Sequence, residues 1–273
     1  MSTEHYTSDG DWQRPTAFYN QYAKYGAYLV FALVVLWGIW VIRVEPSRLL
    51  TGFGEGVRLL SGMYPPAFGQ DDPNKWALLS RGISESVYMA MVASVVGVAL
   101  SIPFAFTAAE NIAPRPVYYL SRFVIAISRA LHSLVLAIII VAAFGFGAFA
   151  GVITLAIKTV GFFSKLLAED IEDIDMGQLE AIKATGAGPL MIMVYGVVPQ
   201  VIPRFVGLAV YRWDINIRAS TILGIVGAGG IGATLTTAFE NFEYDFAAAI
   251  LLSIIVIVLG AEAVSAYIRG RVQ

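Results

Sequence analysis

Cysteine is absent from the 273 residues, and histidine occurs only as His5 and His132. The first absence excludes disulfides, thiolate metal sites and a cysteine nucleophile. The second leaves two imidazoles too far apart for a metal site of local spacing. Charge is scarce as well: 14% of the residues are Asp, Glu, Lys or Arg, against about 25% in a soluble domain. The 18 Lys and Arg stand against 20 Asp and Glu, so no basic excess exists to attract nucleic acid. No phosphate-binding G-x-x-x-x-G-K-[ST] loop occurs, so any ATP must be held by another chain. Ser and Thr are scattered without a His/Asp pairing nearby, which leaves a hydrolase triad unsupported. The first 24 residues are polar and lack the apolar core of a signal peptide. The first apolar segment is therefore read as an uncleaved span.

Apolar length is what the chain has in quantity, with 58% hydrophobic residues. There is too little polar surface to cover a water-soluble body of this size. Roughly 20 apolar residues cross a bilayer, so six spans would absorb about half of the chain. The spans are predicted at 27–42 (extending to Val44), 86–109, 123–143, 148–168, 201–226 and 246–268, with Pro103 as a kink in the second. The fold class is thus all-α, a polytopic membrane protein. Its predicted organisation is a cytoplasmic N-terminal segment (1–24), a first transmembrane helix (25–44), an outer loop (45–82), a core transmembrane domain (83–268) and a cytoplasmic tail (269–273). Residues 144–151, rich in Gly, are read as a tight apolar turn.

Lys and Arg in the flanks set the orientation. An inside N-terminus puts nine inside (Arg14, Lys24, Arg115, Arg122, Lys165, Lys183, Arg204, Arg269, Arg271) and five outside (Arg43, Arg48, Arg58, Lys75, Arg81). Both termini are therefore assigned to the cytoplasm. No internal repeat is visible, which argues against the inverted-repeat secondary carriers.

The polar stretch 169–200 opens on Glu169, Asp170, Glu172, Asp173 and Asp175. Asp175 followed by Gln178 has capping-box spacing, so a helix is predicted from Met176, carrying Leu179, Ile182 and Lys183. Gly186 suits the residue just past its end. Pro189 suits the first turn of a second helix, expected to stop near Pro199 and Pro203. The bland reading is a connecting loop; the functional one is a dock for a cytosolic partner.

Within this stretch, Glu180-Ala181-Ile182, then Gly186, then Gly196-Val197-Val198-Pro199 resembles the EAA signature of ABC importer permeases. Ile182 stands for the second Ala, Gly196 for Ile and Val198 for Leu. A second block, from Tyr211 through Asn216-Ile-Arg-Ala-Ser220 to Leu223-Gly-Ile-Val-Gly-Ala-Gly-Gly-Ile-Gly232, resembles the phosphonate-uptake branch of that family. The resemblance covers roughly residue 84 to the C-terminus.

It implies a type I permease fold with a cytoplasmic coupling helix, in which Glu180, Ala181, Lys183, Gly186 and Pro199 couple to an ATPase. It also implies a prokaryotic cytoplasmic membrane and, as partners, a second permease copy (identical or paralogous), two ABC ATPase subunits and an extracytoplasmic substrate-binding protein. No cofactor is implied in this chain, since ATP and Mg would be bound by the ATPase, and no catalytic residue. The alternatives are the same machine for another solute such as methionine, or a secondary transporter not coupled to ATP.

Ionisable groups inside spans are costly and so face a cavity or a partner. Arg129 and His132 fall three apart in the third span, Lys158 in the fourth, and Arg212, Asp214 and Arg218 in the fifth. One reading makes Arg129, His132, Lys158, Arg212 and Arg218 a path for an anion. The other is structural: Asp214 and Arg218 pair at i,i+4, and Lys158 snorkels. Gly227-Ala-Gly-Gly-Ile-Gly232 matches a dinucleotide-binding pattern in letters only, because no preceding strand is expected.

Overall fold

A computed structural model of the chain describes residues 21–42, 45–69 and 72–272. The N-terminal segment up to residue 20 (with His5 and Arg14), the end of the first span at 43–44, the turn residues 70–71 and Gln273 lie outside the described residues. All regular elements among the described residues are helical. Five helical stretches are long and apolar enough to cross a membrane, and a bent pair makes a sixth.

The chain divides into two units, the first ending at Leu60. In it, α1 (Gln21–Ile42) is apolar all round and buries no residue, as suits a helix whose solvent is lipid. Helix α2 (Pro46–Gly62) starts there, with exposed Leu50, Phe53, Val57 and Leu60 on one stripe. The salt bridge Arg58–Glu55 on it is solvent-exposed.

The second unit is built on two long helices, α3 (Pro73–Thr107) and α6 (Ala148–Glu172). Small residues recur along the buried face of α3 at Ala90, Ala93, Gly97, Ser101 and Ala105. They let the backbones approach, as is usual where lipid removes the hydrophobic drive between helices. A Cβ on Gly97 would meet the Ala156 carbonyl oxygen at 3.1 Å, and Ser164 Oγ donates to the Ser101 carbonyl at 3.1 Å. Asp72 and Pro73 start α3: the Asp72 carboxylate accepts the Asn74 N–H at 2.9 Å, and Pro73 fills the first helical position. These cap signals place the start thirteen residues before the expected 86.

The expected third span is broken. Helices α4 (Arg115–Ala130) and α5 (Ser133–Phe144) meet at 93°, and no Pro or Gly marks the break. Instead Lys158 of α6 donates to the carbonyls of Ser128 at 2.9 Å and Leu131 at 2.7 Å. A foreign donor thus replaces the helix's own N–H groups at the end of α4. The turn expected at 144–151 forms, with Gly145 at φ 90° and Gly147 at φ 125°.

After α6 come α7 (Met176–Ala184), the single turn α8 (Pro189–Ile192), a π-turn at Met193–Val197, and α9 (Val198–Leu223). The second helix was expected to stop near Pro199 and Pro203; α9 runs through both. Pro199 has no N–H to give the Tyr195 carbonyl and would crowd it in a regular turn. The wider π-turn just before it, closed by the Val198 N–H on the Met193 carbonyl, relieves that conflict. Helix α9 ends in a 3₁₀ turn, and α10 (Ile231–Glu240) and α11 (Tyr244–Val272) complete the unit. The glycine-rich 227–232 block is a helix-to-helix turn, with Gly227, Gly229 and Gly230 all at φ near +80°. No dinucleotide-binding geometry results, since it joins two helices.

Candidate functional site: a surface helix anchored on the spans and a buried cation network

Helix α7 starts and stops where its own residues dictate. The Asp175 carboxylate accepts the Gly177 N–H at 2.8 Å, and Gly186 sits at φ 79° with its N–H on the Lys183 carbonyl at 3.0 Å. Only the first half of the predicted capping box forms. The backbone N–H of Asp175 goes to Gln200 Oε1 at 2.8 Å, not to Gln178. Glu180, Ala181, Lys183 and Gly186 are exposed, as is Pro199 at the start of α9. The opposite side of α7 is held: Leu179 is 7% exposed and packs in one cluster with Phe163, Leu167 and Ile171 of α6 and Val201 of α9. A short helix thus offers a charged face outward while its apolar back is set into the transmembrane core.

The junction below it is tied by ion pairs across elements. Arg204 of α9 holds Asp170 of α6 at 2.7 Å, and Arg122 of α4 holds Glu172 at 2.7 Å. Glu172 also accepts the Glu110 N–H at 2.8 Å, and Asn111 donates to the Ile171 carbonyl at 2.8 Å. The acidic run opening 169–200 is therefore partly a structural clasp on α4, α9 and the segment that follows α3.

The five cations and imidazoles proposed for an anion path do not form one lining. Arg129 and His132 do not share a helical face, because the chain turns between them. His132 caps α5 instead, its Nδ1 accepting the Leu134 N–H at 3.3 Å. Arg218 pairs with the buried Asp214, one turn away on α9, which is the structural alternative for that residue. Lys158 does not snorkel; its ammonium completes the end of α4. Lys158 Nζ also lies 3.4 Å from the Arg129 carbonyl, and Arg212 bonds Thr159, the next residue on α6, so these three cationic residues are gathered around the α4–α5 break. Arg129 is exposed and makes no ion pair among the described residues.

Arg212 is 6% exposed. Its Nε donates to Thr159 Oγ1 at 3.0 Å, and its guanidinium lies over the Phe162 ring at 5.2 Å. Asn216 Nδ2 donates to the same Thr159 oxygen at 3.0 Å and to Ser94 Oγ at 2.8 Å. A buried polar joint thus connects α3, α6 and α9. Reading the spans for ionisable groups alone misses Ser94, Thr159 and Asn216; an amide in an apolar span was the available signal.

The roles of Lys158 and Arg129 separate by substitution. Lys158→Met strands carbonyls at the α4–α5 break, at about 1–3 kcal/mol, and is expected to lower the unfolding midpoint in detergent by several degrees. Arg129→Gln is expected to leave that midpoint in place. Equal midpoints for Lys158→Met and wild type would refute the capping role.

Residues 101–273 match the family described as binding-protein-dependent transport system inner membrane component. The phosphite transport system permease protein PtxC of Stutzerimonas stutzeri is 37% identical over 242 residues, covering 88% of this chain and 86% of that protein. The phosphate-import permease protein PhnE of Mycolicibacterium smegmatis is 39% identical over 235 residues, 85% of this chain. This chain spans only 43% of that protein's length. In fold, a chain of the MetNI methionine ABC transporter in an inward-facing conformation superposes with a TM-score of 0.64 at 20% identity, covering 74% of this chain and 99% of that one. A multi-pass helical body with an EAA-type surface helix anchored on its spans, matched over its C-terminal part to this family, leaves one conclusion: the chain belongs to the binding-protein-dependent transport system inner membrane components, the permeases of ABC importers.

Proposed function

We propose that this chain is one permease subunit of an ATP-driven importer that carries a phosphonate, or a related phosphorus oxyanion, across the cytoplasmic membrane of a prokaryote by alternating access. The observation that carries this reading is the two-sided α7, with Glu180, Ala181 and Lys183 exposed and Leu179 buried among α6 and α9. Such a helix passes a push on its outer face directly to two spans. In the proposed cycle, two ATPase subunits hold ATP and Mg and close on it. The paired α7 helices then approach, and the spans rock open toward a docked binding protein. Gly186 permits the turn behind α7, and Pro199 opens the helix that receives the movement. Both chain termini lie in the cytoplasm, on the side of α7. The chain itself carries out no chemistry.

The phosphorus substrate is supported by the relatives, a phosphite transport permease and a phosphate-import permease, and by the cations at membrane depth. Of these, Arg129 is the contact offered to a passing anion, with Lys158 and Arg212 supplying positive potential behind it; His132, which caps α5, and Arg218, which pairs with Asp214, are left out of the proposed path.

The test is purification of the transporter from membranes. Glu180→Lys is expected to lose the ATPase partner. Gly186→Val, which strains a left-handed position by about 1–2 kcal/mol, is expected to weaken that partnership. Transport surviving both without a bound ATPase would overturn the reading. Ligand-dependent melting of the cognate binding protein tests the substrate: indifference to alkylphosphonates, phosphite and phosphate would remove the phosphorus assignment and leave methionine or another solute.

A further inference from the structure

Gln200 sits on the first turns of α9, half-buried, and bonds in two directions. Its Oε1 accepts the Asp175 N–H at 2.8 Å, and its Nε2 donates to the Gly196 carbonyl at 2.8 Å. The first bond reaches the N-cap of α7. The second reaches the π-turn, where the hydrogen-bond ladder of the helix is irregular. Arg204, one turn further along the same face of α9, holds Asp170 at 2.7 Å. Both ends of the connection between α6 and α7 are therefore fastened to one stripe of α9. The apolar contacts agree: a Cβ on Gly196 would meet Ile182 Cδ1 at 3.2 Å and Leu179 Cδ1 at 3.4 Å. The inner face of α7 is thus seated directly on the π-turn.

We propose that Gln200 is a positioning residue that makes α7 and α9 move as one body, so that displacement of the surface helix becomes displacement of the span. The inference rests on the reading that α7 docks an ATPase. Its physical content is a stiffness. Leu179 and Ile182 supply contact but slide, because apolar packing is non-directional. A side-chain amide bonded at both ends fixes register along the helix axis. The π-turn between them is the compliant element that this amide braces, since without Gln200 a push on α7 can be absorbed there as a change in local helix winding. Glu180 then determines whether the ATPase binds, and Gln200 how much of its stroke reaches α9.

The experiment compares wild type, Gln200→Leu and Gln200→Glu in the complete transporter reconstituted with its ATPase and binding protein, reading ATP hydrolysis and uptake together. Gln200→Leu keeps the volume and removes both bonds. It is expected to retain the ATPase and its basal hydrolysis while uptake per ATP hydrolysed falls roughly tenfold, the scale of two ordinary hydrogen bonds. Gln200→Glu keeps the acceptor for Asp175 and loses the donor to Gly196, and is expected to fall between the two. Uptake per ATP at the wild-type value in Gln200→Leu would overturn the proposal. So would loss of the ATPase from that variant, which would make Gln200 a determinant of assembly. A wild-type chain that holds no ATPase at all would instead overturn the functional reading, before any variant is measured.

Discussion

Gly232→Ala is expected to lower the unfolding midpoint of the detergent-solubilised protein by roughly 10 °C, from an overpacking cost of about 3 kcal/mol. Gly232 begins α10 where it crosses the end of α9, and an added Cβ would run into the Thr221 carbonyl and approach Gly224 Cα at 3.2 Å. A Cβ on Gly224 would in turn meet the Gly229 oxygen at 2.6 Å. Both obstacles are backbone, which cannot rotate away as a side-chain tip can. The two chain segments approach so closely because neither carries a side chain there. Gly260→Ala in α11, where nothing lies within 4 Å, is the matched control. It is expected to be neutral or to stabilise by up to about 1 kcal/mol, the helix-propensity gain. Similar midpoints for the two variants would show that the crossing is looser than described.

Thr159→Val carries the second large effect. The substitution keeps shape and removes one hydroxyl, yet that hydroxyl accepts from both Arg212 and Asn216 and donates to the Leu155 carbonyl at 2.7 Å. Its loss leaves a guanidinium N–H without its acceptor where Arg212 is 6% exposed. Interhelical hydrogen bonds in membranes average only about 0.6 kcal/mol, but a charged donor left unpaired costs more, so about 2–3 kcal/mol is expected. Thr154→Val is the comparison, since Thr154 Oγ1 is equally buried and, among the described residues, serves only the Ala150 carbonyl at 2.8 Å within its own helix. That variant is expected to stay within about 0.5 kcal/mol of wild type. Chemical unfolding of the two in the same micelle separates the outcomes, and a Thr159→Val protein as stable as Thr154→Val would refute the joint.

Much of the site was legible where one turn of chain suffices to decide it. Asp175 and Gly186 bound α7 because a cap needs only an acceptor beside the first N–H groups and a residue that tolerates positive φ. The apolar runs placed the fourth, fifth and sixth spans to within about four residues at either end, whereas Asp72 and Pro73 extended α3 outward through polar sequence and the third span is broken in two. Glu180, Ala181 and Lys183 face outward on α7, because Leu179 and Ile182 are the apolar residues that turn its other side inward.

The cations show where such reading stops. Arg129 and His132 have the spacing of one helical face, but a face exists only while the helix continues. Thr159 is an ordinary polar residue in sequence, and its importance comes from Arg212 and Asn216 converging on its hydroxyl. The Pro199 and Pro203 signals for a helix end were overridden, because a π-turn absorbs the first and membrane packing keeps the rest of α9 helical.

By itself the sequence determined that this is a membrane protein with a capped, charged helix between spans, because burial preference and capping are properties of neighbouring residues. It did not determine the broken third span, the brace at Gln200 or the Arg212 joint. Those depend on pairs such as Asp175 with Gln200, 25 residues apart, and Ser94 with Asn216, 122 apart. In lipid a polar group has no water to bond to, and which partner it finds inside the protein is fixed only when distant helices have been brought side by side.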